Sequence, residues 1–296
     1  MLKLGARVAV CFGLLTGLAQ TALGADVLIG DAKSEPESLT IAPDGTLFAG
    51  SASTPFVYKV RAGSTTAEKF VDASAEGAGT FFFGMLVDAA TKTLWTCELT
   101  PAPRTTPVKH RTALRGFDIA TGAQKLRWDL PGDNSLSNDF AIGPDNALYI
   151  TDTVNGNIYK LVAGATTAAL FLENGLILKG VDGITFLNRK LYVTNVFTDK
   201  LYRIPMNGSG KAGQPVEILT DQPIKAPDGM RVAHGKLLLA ESGNGQIDVL
   251  ALNGDKAKVT VIKKGLNTPT AVEAVGDTIW VAERGSGKAV STPMPK

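Results

Sequence analysis

Residues 138–152 read NDFAIGPDNALYITD: a polar pair, an apolar alternation, a Gly-Pro-Asp-Asn turn and a second strand of β-branched and aromatic residues. Pro presets φ at one corner of such a turn and Asn tolerates a left-handed corner, so the stretch is expected to be a β-hairpin. The pattern recurs as ESLTIAPDGTLFAG from Glu37, FGMLVDAATKTLWTC from Phe83, DGITFLNRKLYVTN from Asp182, DGMRVAHGKLLLAE from Asp228 and TAVEAVGDTIWVAE from Thr270. Successive copies begin 46, 55, 44, 46 and 42 residues apart. A hairpin repeat of this period predicts an all-β fold, a propeller or a solenoid. Four strands fit in such a period, and third-strand segments such as NIYKLV, KLYRIPM and QIDVLAL favour the propeller. The expectation is a six-bladed β-propeller with four-stranded antiparallel blades around a central channel, with ADVLIG (25–30) pairing into the last blade to close the ring.

The tetrapeptide APDG occurs at residues 42–45 and again at 226–229. In the first copy Asp44 sits seven residues after the repeat start, in the phase of Asp145, and reads as the hairpin turn. In the second copy Asp228 is itself the repeat start, so the same letters serve a different purpose.

Ahead of the repeats, MLKLGAR and the apolar VAVCFGLLTGLA, followed by Ala22 and Gly24, read as a secretory signal over residues 1–24, cut before Ala25. The expected destination is the periplasm or the exterior, and no later stretch is apolar enough to span a membrane. Without Lys3 and Arg7 the 30 cations of the chain fall to 28, equal to its 28 acids. A neutral mature chain gives no argument for nucleic acid or an anionic membrane as partner. Cys97 is then the only thiol, which excludes an internal disulfide, and its place in TLWTC reads as a buried apolar position. Residues 25–296 are long enough for one all-β domain.

The first strand of a propeller blade lines the channel, so the six repeat starts, Glu37, Phe83, Asn138, Asp182, Asp228 and Thr270, are expected to converge on the axis. Three are carboxylates, and at about 5 Å and an effective dielectric near 20 each pair repels by roughly 3 kcal/mol. Such a cluster needs a cation or strongly raised pKa values. Oxygen donors without His or Cys select a hard ion, for which Ca²⁺ fits best, and neither His110 nor His234 is at a repeat start.

In order and blade position these residues resemble the gluconolactonase and regucalcin (senescence marker protein) family of calcium propellers, related to paraoxonase and diisopropylfluorophosphatase. The family pattern has Glu in the first blade, Asn in the third and fourth, and Asp within Pro-Asp-Gly in the fifth; this chain has Glu37, Asn138, Asp182 and Asp228, and departs from the pattern at Asp182. Leu136 stands where sugar-lactone hydrolases of the family tend to carry Arg, which argues against a sugar lactone. The resemblance implies a calcium-dependent hydrolase of a small-molecule lactone or related ester. Glu37, Asn138, Asp182 and Asp228 would hold the metal, with Asp228, then Asp182, as the catalytic carboxylate. Two other readings stay open: a non-catalytic propeller that binds a ligand or protein and uses calcium structurally, and a metal-free enzyme resembling strictosidine synthase.

Two further groups are singled out. The insertion at residues 99–115 is expected to overhang the metal as a substrate lid, with Arg104, His110 and Arg111, and also Lys109 and Arg115, as its cations. Asp152, Asn195, Glu241 and Glu283 end the second strand of four copies, where they would either orient the metal ligands from behind or bond the strand ends.

Overall fold

The computed structural model describes residues 26–77, 79–101 and 110–295. The signal-sequence expectation and Arg104 and Lys109 of the insertion lie outside them.

Each sequence repeat becomes an antiparallel meander of four strands, except the last, which supplies three and takes its fourth from the chain ahead of the repeats. The first runs through Pro36–Ile41, Leu47–Ser51, Phe56–Val60 and Ala67–Asp72, and the third through Ser137–Ile142, Leu148–Asp152, Asn157–Leu161 and Ala169–Glu173. The meanders lie face to face, so an inner strand is covered on both sides and Leu148–Asp152 is buried at every residue. The fourth strand forms the outer edge, and Ala169–Glu173 is largely exposed.

Among the described residues the strands assemble into four sheets of four and one of eight. The eight-stranded sheet holds two meanders, those beginning Val181–Leu187 and Pro227–Ala233, joined at their outer edges by a two-residue parallel pairing of Leu219 with Lys256 and Thr220 with Ala257. The innermost strands contact one another in cyclic order, and Pro269–Val275 packs back on Pro36–Ile41. Val27–Leu28 supplies the outer strand of the final sheet by antiparallel pairing with Lys288–Pro293. The fold is an all-β propeller whose ring is closed by strands from both ends of the chain. In place of one central core, hydrophobic clusters among the described residues fill the seams between neighbouring meanders.

The two APDG copies differ as their phase requires. Asp44 accepts a hydrogen bond from the Thr46 amide at 2.9 Å and Gly45 turns the chain at φ +84°, a hairpin turn. The second copy enters the strand Pro227–Ala233 from its second residue on. There a Cβ on Gly229 would lie 2.6 Å from the Thr270 carbonyl oxygen, so glycine is needed for the close approach of neighbouring first strands.

Candidate functional site

Every innermost strand departs from regular pairing where its repeat begins. The register shifts between Pro36 and Leu39, Phe82 and Met85, Ser137 and Phe140, Val181 and Ile184, Pro227 and Met230, and Pro269 and Ala271. A β-bulge re-aims side chains that would otherwise alternate between the two faces of a sheet. Here the bulges hold Glu37, Asn138, Asp182, Asp228 and Thr270, which all line one axial cavity of about 10 Å³, the order of a single water. Phe83 is different: its side chain packs in the seam between the second and third meanders, and Gly84 lines the axis instead.

Within the cavity the Asn138 amide nitrogen donates to Asp182 Oδ2 at 2.7 Å. Asp182 and Asp228 are close enough for each to act on the other's ionisation. Glu37, Asn138 and Asp182 are buried; Asp228 is the least covered of the four. All three carboxyls are held well above the usual carboxylate range, first by burial and then by their neighbours: Asp182 acts on Glu37, Asp228 on Asp182, and Glu37 on Asp228. Arg284 opposes the shift at Glu37. Among the described residues no group of three or more His, Cys, Asp or Glu side chains is already arranged as a metal cage. The donors are nevertheless hard oxygens, and Asn138 would offer a fourth by turning its amide over.

Arg231 closes the channel beside this cluster. Its guanidinium reaches from the fifth meander to Asp139 of the third through two bonds, Nη1 to Oδ2 at 2.7 Å and Nη2 to Oδ1 at 3.0 Å. Nη2 also donates to the Met85 carbonyl of the second meander at 3.0 Å, and Nε lies 3.6 Å from Glu273 of the sixth. Arg231 is 8% exposed and Asp139 4%, so the pair is an interior one. The sequence reading missed it, although Arg231 and Glu273 share a repeat phase otherwise occupied by Thr40, Leu86, Ala141 and Thr185, where an opposite-charge pair is conspicuous.

The four strand-end residues bond loops. Asp152 Oδ1 accepts from the Leu136 amide at 3.1 Å, and Asn195 donates to the carbonyls of Ile177 and Lys179, both at 3.0 Å. Glu241 accepts from the Lys225 amide and Glu283 from the Asn267 amide, each at 2.7 Å or less. Each thus fastens the segment that enters its own first strand, and none bonds to an axial carboxyl. Glu98 occupies the equivalent place in the second meander and is paired with Arg115 and Arg127.

The insertion is shorter as a loop than its sequence suggested, because strands Thr93–Pro101 and His110–Asp118 extend into it. His110 pairs across the hairpin with Pro101 and Arg111 with Thr100, so both belong to a long hairpin rising on the face where the axial residues lie. Arg115 is buried and paired with Glu98 and Gln124, a packing role in place of a loop cation. Cys97 is fully buried beside the Ser137 hydroxyl, and burial pushes its thiol well up, as an apolar reading of TLWTC requires.

A closed β-propeller with a buried acidic cluster at its axis is thus the class that fold and site define. Neither a protein-family model nor a curated protein matches the chain. Among solved structures it is similar to one assigned as a gluconolactonase, at 15% identity and TM-score 0.65 over 93% of this chain and 96% of that one. It is similar to virginiamycin B lyase from Staphylococcus aureus, solved as a catalytically inactive variant with Quinupristin, at 16% identity and TM-score 0.62 over 91% and 98%. It is similar also to the PQQ-bound aldose sugar dehydrogenase of Streptomyces coelicolor, at 15% and 0.61 over 92% and 96%. All three neighbours are propeller enzymes, and at these identities the likeness is one of fold.

Proposed function

We propose that the chain, counted as one blade per repeat, is a six-bladed exported hydrolase that uses Ca²⁺ to open a lactone or related ester, with the periplasm or exterior as its compartment. The observation that carries this reading is the convergence of Glu37, Asn138, Asp182 and Asp228 in one axial cavity. Their side-chain oxygens suit a hard divalent ion, which when bound would polarise a substrate carbonyl. Glu37, Asn138 and Asp182 sit deepest and would hold the ion. Asp228, the most accessible of the four, is the residue to take a proton from the attacking water. The Arg231–Asp139 pair fixes the two strands that carry Asp228 and Asn138.

The test is calorimetry of Ca²⁺ binding to the mature protein and to Asp228→Asn, with lactone and aryl-ester turnover measured on the same samples. Binding and turnover in the parent, with turnover lost by at least a hundredfold in the variant at unchanged thermal stability, is the expected result. Turnover retained by Asp228→Asn would remove that residue's assignment.

One observation favours a second reading. The axial cavity holds about one water's volume and Arg231 closes the channel beside it, which suits an ion that only fastens the blades of a binding protein. Calcium binding without turnover of any lactone or ester would select that reading.

A further inference from the structure

The axial cavity is too small for an organic molecule, so a substrate must rest mainly elsewhere on the same face. An open depression of about 740 Å³ lies there, between the first and last meanders. That volume is within the range of small-molecule sites. Two of its lining residues, Glu35 and Thr268, stand two positions before the axial residues Glu37 and Thr270. The segments that carry Glu35 and Thr268 therefore continue into the bulges that carry the acidic cluster.

Its polar lining is matched to an acid that also carries hydroxyls. Arg284 donates through Nε and Nη2 to a single oxygen of Glu35, at 3.1 and 2.9 Å, which leaves Nη1 without a hydrogen-bond partner among the described residues. The Lys33 side chain has no carboxylate within ion-pair distance among the described residues. Two cationic donors, Arg284 Nη1 and the Lys33 ammonium, thus line the same depression, a pairing suited to a carboxylate. Asp31 and Glu35 line it too and accept hydrogen bonds, and the hydroxyls of Ser53 and Thr54, both already donating inside the protein, keep lone pairs for a ligand hydroxyl. Thr268 adopts φ +57°, a conformation costly for a β-branched residue. Such strain gathers at sites where the surroundings dictate the backbone.

We propose that this depression binds a small hydroxylated carboxylic acid, its carboxylate held by Arg284 and Lys33 and its hydroxyls by Asp31, Ser53 and Thr54, and presents the rest of the molecule to the axial carboxyls. That the bound molecule is a substrate rests on the hydrolase reading; the binding itself does not.

The probes are D-glucuronate, D-glucose and acetate, titrated into the mature protein by calorimetry at fixed ionic strength. Glucuronate and glucose share a ring and differ by the carboxylate, and acetate supplies the carboxylate alone. Glucuronate is expected to bind at least tenfold tighter than either. Arg284→Gln and Lys33→Gln should each weaken it at least tenfold at unchanged thermal stability. Failure of glucuronate to bind, equal binding of glucose, or full affinity in Arg284→Gln overturns the proposal. Turnover separates the two claims: glucuronate binding with no lactone or ester turned over removes the hydrolase reading alone, whereas turnover without glucuronate binding removes this one alone.

Discussion

At the scale of single residues, the axis is governed by what fits between neighbouring first strands. A Cβ on Gly183 would lie 2.4 Å from the Asp228 carbonyl oxygen, and one on Gly229 2.6 Å from that of Thr270. Both obstacles are backbone atoms and cannot rotate away. Gly183→Ala and Gly229→Ala are each expected to cost about 2–3 kcal/mol, read from the urea midpoint. This gives the two Asp-Gly pairs a reason the sequence did not disclose. The Asp is legible from its phase in the repeat, whereas the Gly answers to a strand some 45 residues away. Arg231 is hidden in the same way, because its partner Asp139 is 92 residues distant. Arg231→Met would strand a buried carboxylate and is expected to destabilise by about 3–5 kcal/mol, and adding Asp139→Asn should restore part of the loss. Additive losses in that double variant would show that the pair does not act as a unit.

At the scale of the element, the hairpin repeat was legible because alternation and turn chemistry are local. The bulges were not, since they are departures from pairing that no single strand encodes. Strand ends show the same limit: Asp152, Asn195, Glu241 and Glu283 announce themselves by phase, but what they bond is decided by the loop that returns to them. In the fifth meander this anchoring brings a second buried acid close. Burial and the adjacent Glu241 push Asp248 up to about 8, against the opposing influence of Gln246 and Lys264. An unfolded Asp titrates near 4, so the folded chain holds this proton more tightly. The resulting stabilisation is complete below about pH 4 and is lost as pH rises through about 8. Melting temperature in calcium-free buffer is therefore expected to fall from pH 5 to 9. Asp248→Asn should make that slope shallower without abolishing it, because the axial carboxyls are raised too and slope the same way. An unchanged slope in the variant would mean Asp248 is ionised in the folded protein.

At the scale of the whole molecule, seams between meanders stand in place of one core, and each is crossed by continuous chain, the one between the last and first meanders by the segment that links Leu28 to Pro36. The ring is held closed by pairing alone inside the last meander. Its sheet is completed by Val27 opposite Ala289 and Leu28 opposite Lys288, supported by the Ile29 amide on the Gly287 carbonyl at 2.8 Å. Elsewhere in that sheet Thr278–Glu283 and Lys288–Pro293 pair over six residues. Pulled from its two ends in an optical trap, the protein is expected to yield first here, in a small early extension ahead of the main rupture, and Leu28→Pro should remove that early step. The ring is then a clasp as well as a scaffold: its mechanical strength is set by its shortest pairing, and a load applied across the ends would open the circle while the other blades were still folded.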